Sequence, residues 1–264
     1  MREYFSVLLA TYITMTIRSG IKNILHPHKK LNVPRDTLYD LDRFGELYHD
    51  FSFFGAKNKQ LPGCFQVNQS CKAPIIIAYI AFAIAKSKKN IDSSVKFIEL
   101  FCADGYYAMA AARLGATESY GIDSDRDGHF DKADQIAKIL AIKNVEFIKS
   151  DVNKLDKIGI DNVDIVANIG GLYHVENPEE LLIKSYNLAK NFLIVQSVVS
   201  MSNNDPEYFE TPAPGWHWGC RYNKLSFHNM ITKLGFKIVD YHFNELTGNK
   251  RMEDKGSVYY LIEK

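Results

Sequence analysis

The stretch Ser94-Val-Lys-Phe-Ile-Glu-Leu-Phe-Cys-Ala-Asp-Gly105 decides how this chain folds. Ser94–Leu100 is a short apolar run that stops at a turn, which reads as a strand buried on both faces. An Ala-rich helix, Tyr106–Leu114, follows at once. Outward from this unit the alternation continues. Strands are expected at Ser119–Ile122, Val145–Ile148, Val163–Ile169 and Phe192–Val199, with helices at Phe130–Leu140 and Pro178–Ala189. Upstream, Cys71–Lys86 reads as a mostly apolar helix long enough to be buried. Strands and helices alternating through short connections build a parallel sheet covered on both faces, with right-handed crossovers. The tail breaks that rhythm with a helix at Ser226–Leu234, a strand at Phe236–Phe243 and a last strand at Ser257–Ile262. The polar stretch ELTGNKRMEDKG joins those two strands as a hairpin with a long loop.

Length and composition bound the answer further. At 264 residues the chain is one large domain or a domain and a half. The expected division is an N-terminal helical cap over residues 1–70 and a main domain over 71–264, with an insertion at about 200–225. Hydrophobic residues at 46% and charged residues at 24% exclude a disordered chain, a collagen-like repeat and a polytopic membrane protein. Cys64, Cys71, Cys102 and Cys220 are too far apart for a zinc pair and too sparse for a disulfide scaffold, so a cytoplasmic location is expected. The net charge of +1 argues against a chain-wide nucleic-acid surface. Residues 1–35 nevertheless carry six bases and one acid, a basic head on a mildly acidic body. Within it, Tyr4–Ile17 is apolar at helical spacing but, at fourteen residues, too short to span a bilayer. It fits a helix that caps the core or forms a dimer interface. The alternative is an amphipathic helix on an anionic membrane or polyanion, aided by His26–Lys30.

In an open parallel sheet, ligands lie beyond the carboxyl ends of the strands, where the strand order switches. The first strand runs out through Glu99, Phe101, Ala103 and Gly105 into a tight turn, and Asp123 closes the next strand, 24 residues after Glu99. A tight turn brings backbone N–H groups close to a ligand, and an acid at the next strand tip accepts both hydroxyls of a ribose. A third acid, Asp151, ends another strand beside Val152, where an adenine amino group would lie, and Asn168 ends the fourth. A pyrophosphate-binding dehydrogenase shares this layout but needs close glycines where Phe101 and Ala103 stand, and Asp104 adds a repelling charge. Asp123 to Asp134 also matches the twelve-residue calcium loop, with Gly128 at its sixth position. That loop is entered from a strand rather than a helix, and it ends on Asp rather than the bidentate Glu. No metal is therefore expected, and the acids read as a helix N-terminus.

These residues together resemble the class I S-adenosylmethionine-dependent methyltransferases over roughly residues 70–264. The family's turn is acid-x-Gly-x-Gly-x-Gly; here Phe101 and Ala103 occupy the first two glycine places and only Gly105 is kept. The resemblance implies an α/β fold with a Rossmann-like, seven-stranded, mostly parallel sheet whose last strand is antiparallel. It also implies S-adenosyl-L-methionine as cofactor, held by Glu99, Phe101, Ala103, Gly105, Asp123, Asp151, Val152 and Asn168. The segments Cys102–Tyr107 and Leu172–Pro178 (LYHVENP) resemble more narrowly the wobble-uridine tRNA-modifying methyltransferases and their small-molecule and glycan relatives. That similarity makes Tyr173 a substrate- or cofactor-facing residue, and it leaves open a carboxylated form of the cofactor.

Tyr173 and His174 are accordingly the catalytic candidates, with His174 as the group that would take a proton from an acceptor hydroxyl or merely hydrogen-bond its loop. Met201–Lys224 is too long for a simple connection and is rich in aromatic residues and proline, as lids and substrate walls are. Trp216, His217, Trp218 and Arg221 from it, together with Tyr107, are the expected substrate contacts, and His49 and Gln60–Gln69 are placed near the cleft. The asparagine turn Asn168–Gly171 lacks the prolines of amine-methylating relatives, so an oxygen on a small molecule or sugar is the favoured acceptor. A tRNA-modifying enzyme and a non-catalytic nucleotide-binding module are the alternatives.

Overall fold

A computed structural model describes residues 39–90, 93–161 and 163–264; Tyr4–Ile17 and the basic head lie outside them. Seven strands form one sheet: β1 Lys96–Leu100, β2 Glu118–Asp123, β3 Val145–Lys149, β4 Val163–Ile169, β5 Ala189–Val199, β6 Lys237–Glu245 and β7 Gly256–Glu263. Their order is β6-β7-β5-β4-β1-β2-β3. Pairings β1/β2, β2/β3, β1/β4 and β4/β5 are parallel, and β7 runs antiparallel to both β5 and β6. The fold expected from the sequence is therefore the one observed, including the long-looped hairpin of the tail. Strand order reverses direction between β1 and β4, so their carboxyl ends open the crevice where this architecture binds ligands.

Among the described residues five helices flank the sheet: α1 Phe65–Ser87, α2 Tyr106–Leu114, α3 Ala133–Ile139, α4 Pro178–Leu188 and α5 Lys224–Lys233. The helix expected from Phe130 opens as a 3-10 turn, Phe130–Lys132, before α3 proper. Length and apolarity would let α1 cross a membrane, but Ala73, Ile76, Ile80, Ala83 and Ile84 recur at helical spacing as a buried face. That face joins Phe97 of β1 and Met109 of α2 in one core cluster, which accounts for its hydrophobicity.

The helix begins at Phe65, six residues before the expected start. Residues 39–64 are not helical: they form two-residue strands and 3-10 turns. Leu41, Leu47, Phe51 and Phe54 from this segment are buried in the same core as α1 and α2, so 39–70 is continuous with the main body rather than a separate cap. Gln69 on α1 fastens the segment. Its side-chain oxygen accepts from Asp50 N (2.7 Å) and Gln60 Nε2 (2.7 Å), and its amide donates to the Asp50 carbonyl (3.0 Å).

Candidate active site

The turn after β1 keeps a glycine-type backbone without the glycines. Phe101, Ala103 and Gly105 all have positive φ, at +63°, +47° and +80°. The turn is closed by Gly105 N donating to the Cys102 carbonyl (2.7 Å) and tied to β2 by Cys102 N donating to Ile122 O (3.1 Å). Phe101 does not plug it. Its ring lies over Gly171, where a Cβ would collide with it, so the second glycine of Asn168-Ile-Gly-Gly171 makes room for the phenylalanine that replaces a glycine across the crevice. Gly105 itself faces inward against Phe147 and shapes the turn without lining the cleft.

A cleft of about 220 Å³ opens beside this turn, lined among others by Glu99, Phe101, Ala103 and Tyr107. Asp123, Asp151 and Val152 line the same cleft, and so does His174. Asp123 accepts from Ala103 N through Oδ2 (2.9 Å) and from Asp125 N through Oδ1 (2.7 Å). Each carboxylate oxygen has two acceptor positions, so one on each stays free for a pair of hydroxyls. Asp151 caps the short helical turn that begins at Val152, accepting from Asn153 N (2.9 Å). Glu99 is buried and accepts from Ala108 N (2.6 Å) at the start of α2; burial raises its carboxyl well above the usual range. Tyr107 lines the cleft wall, and its buried hydroxyl has no hydrogen-bond partner among the described residues.

The acids of the calcium-like loop are spoken for elsewhere. Asp125 pairs with Lys149 (2.6 Å), as does Asp131 (3.3 Å), and Asp127 pairs with Arg126 (3.2 Å). Among the described residues no three His, Cys, Asp or Glu side chains converge as metal ligands. Asp104 has a partner far away along the chain: it accepts from His49 N (2.9 Å) and meets His49 Nδ1 at 2.5 Å, both residues buried. This pair pins the segment around Tyr48 and His49 against the turn, and both of those residues line the cleft.

On the acceptor side, several expectations need correction. Asn168 does not face the cleft; strand alternation turns it the other way, where its amide donates to Ser185 Oγ on α4 (3.3 Å). Tyr173 is not part of the cleft wall either. Its ring lies under the Arg221 guanidinium (5.3 Å), its carbonyl accepts from Cys220 N (3.1 Å), and burial pushes its hydroxyl up to about 12. Arg221 is buried in an ion pair with Asp254 (2.7 Å) rather than presented to a ligand. Trp216 and His217 are exposed and line no part of the cleft. Trp218 acts one step removed: it stacks on His174 (5.0 Å, 19°), and the Arg126 guanidinium lies over the Trp218 ring, 4.6 Å from its centroid. Arg126 also donates to His174 Nδ1 (3.4 Å), which leaves Nε2 to carry the proton. Burial first, and the Arg126 charge second, lower the His174 imidazole to about 4, so it is neutral at physiological pH. Lys72 on α1 and Arg126 line the cleft and were not singled out by sequence, because Lys72 belongs to no motif and only the acids of the calcium-like loop around Arg126 were read.

A parallel sheet with its crevice at the β1/β4 switch, a left-handed turn and a carboxylate at the β2 tip define a nucleoside-binding α/β protein. Residues 91–262 match the family described as methyltransferase domain, and the chain belongs to that family. No curated protein matches its sequence. Among solved structures it resembles magnesium protoporphyrin IX methyltransferase (ChlM) from Synechocystis PCC 6803 with bound SAM, at TM-score 0.56 and 16% identity over 84% of this chain and 90% of that one. The N-terminal domain of EvdMO1, in the presence of SAH and D-fucose, matches at 0.55 and 16% identity, covering 84% of this chain and 92% of that one. The [4+2]-cyclase SpnF matches at 0.53 and 18% identity, with 70% and 79% covered. S-adenosylmethionine is the cofactor that goes with this family. The paired free acceptor sites of Asp123 fit the ribose of such a ligand.

Proposed function

We propose that this chain is an S-adenosylmethionine-dependent methyltransferase acting on an oxygen of a small-molecule or sugar acceptor. The observation that carries the reading is the turn itself. Three consecutive alternate residues adopt left-handed backbone, two of them without being glycine, and Asp123 holds the turn by Ala103 N. Such strain persists where a site requires it. When bound, the sulfonium supplies an electrophilic methyl group that a nucleophile displaces directly. Asp123 would hold the ribose, and Asp151, Val152 and Asn153 would border the base. Across the cleft, neutral His174 offers Nε2–H to an acceptor oxygen. With a conjugate acid near 4 it orients that oxygen better than it deprotonates it. The insertion lies on the 172–174 turn through the Cys220–Tyr173 bond and the Trp218–His174 stack, which keeps water from that side. EvdMO1 and ChlM lend the small-molecule reading its support as fold neighbours.

The test is calorimetric titration of S-adenosylmethionine and S-adenosylhomocysteine into the wild type and Asp123→Asn. Loss of charge-assisted bonds should weaken both by about 10–100-fold, with the melting temperature within a few degrees. Unchanged affinity refutes the assignment. Because SpnF carries a cyclase activity on this fold, turnover is to be read as S-adenosylhomocysteine formed, not as ligand bound.

A further inference from the structure

The cleft is electrostatically divided, and among the described residues one cation in it has no anionic partner. At the nucleoside end stand Asp123 and Asp151. At the other end Arg126 is matched by Asp127 at 3.2 Å, and behind the wall Arg221 is matched by Asp254 at 2.7 Å. Lys72, which lines the same cleft from α1, has no hydrogen-bond or ion-pair partner among the described residues. It lines the same cleft as His174, close enough for its charge to reach that imidazole together with those of Arg126 and Arg221. Burial lowers its ammonium to about 8, the expected state of a lysine drawn into a wall without an anion. The neighbouring wall holds Tyr48 and the unpartnered Tyr107 hydroxyl, which lacks an acceptor. A half-buried cation that lines a cleft without an anion is complementary to an oxyanion.

We propose that Lys72 is the counter-charge for a carboxylate or phosphate on the methyl acceptor, so that the substrate is an anionic hydroxy compound rather than a neutral one. This deepens, and rests on, the methyltransferase reading above. His174, backed by the Trp218 ring stacked on it, supplies a flat wall in the same cleft, suited to a planar or cyclic scaffold carrying that anion.

The probes are 4-hydroxybenzoate and its neutral amide, titrated into the protein saturated with S-adenosylhomocysteine. The acid should bind at least tenfold more tightly than the amide. Lys72→Met should erase that preference, and Lys72→Arg should restore most of it. Affinity for S-adenosylhomocysteine should stay within about twofold in both variants. Equal binding of acid and amide by the wild type overturns the proposal. So does a Lys72→Met variant that loses tenfold or more for S-adenosylhomocysteine yet binds 5′-methylthioadenosine normally, since that places the cofactor's own carboxylate on Lys72. Failure of the methyltransferase reading is separable: it would appear as wild-type protein that binds neither nucleoside.

Discussion

Ala103 at φ +47° shows what the turn costs a residue with a side chain. Left-handed backbone disfavours an L-residue by about 1–2 kcal/mol, while glycine there returns about 0.4–1 kcal/mol by loosening the unfolded chain. Ala103→Gly should therefore raise stability by about 0.5–1 kcal/mol in urea unfolding; a clear loss would mean that the methyl group packs usefully. His174 makes a second single-residue case. Its folded value of about 4 lies below the unfolded 6.5, so the unfolded chain binds more protons between those values. The stability it contributes is complete above about pH 6.5 and is lost as the pH falls through about 4. Wild-type protein should lose more stability than His174→Gln between pH 7 and 4.5. Equal losses would show the imidazole to be better solvated than its stacking on Trp218 implies. A pH–rate profile should likewise lack a His174 limb near 6.5.

At the scale of elements, the turn after β1 and the turn after β4 are built for each other. Phe101 occupies the volume that a side chain at Gly171 would need. Gly171→Ala should destabilise by about 2–4 kcal/mol, because the ring has to leave a packed position. Phe101→Ala in the same background should recover much of that loss, giving a coupling energy well above the ~0.5 kcal/mol of independent sites. Additive effects would separate the two turns. This complementarity also marks what the sequence could and could not reveal. Strands β1 to β5 and helices α2 and α4 were legible because buried parallel strands are unbroken apolar runs and helices carry caps such as Asn177 before Pro178. Asp123 and Asp151 were legible because strand tips place them by topology. Asn168 was misplaced because two-residue alternation decides which face an end residue takes, and a motif match does not count alternation. The His49–Asp104 pair and Lys72 were invisible as partners: they meet across 55 residues in one case, and in the other depend on how α1 rotates its polar edge toward the cleft.

At the scale of the whole molecule, the insertion is anchored to the tail hairpin by one buried ion pair. Arg221 is 4% exposed, and its Nη2 meets Asp254 Oδ1 at 2.7 Å, in the loop between β6 and β7. Its Nη1 donates to the Cys220 carbonyl (2.9 Å), while Nε has no partner. Removing one member of such a pair strands the other charge, at a cost of about 3–5 kcal/mol, whereas replacing both by apolar groups of similar size is often neutral. Asp254→Ala should therefore lower the melting temperature sharply and open the 200–223 segment to limited proteolysis. It should also loosen the Trp218 stack that keeps His174 in place, so acceptor-dependent turnover should fall further than S-adenosylhomocysteine affinity, whose proposed contacts lie on Asp123 and the β1 turn. Adding Arg221→Met to Asp254→Ala should restore most of the stability. A double variant no more stable than the single one would show that the guanidinium holds the insertion chiefly through Cys220 and Tyr173, and that the charge of Asp254 matters little to it.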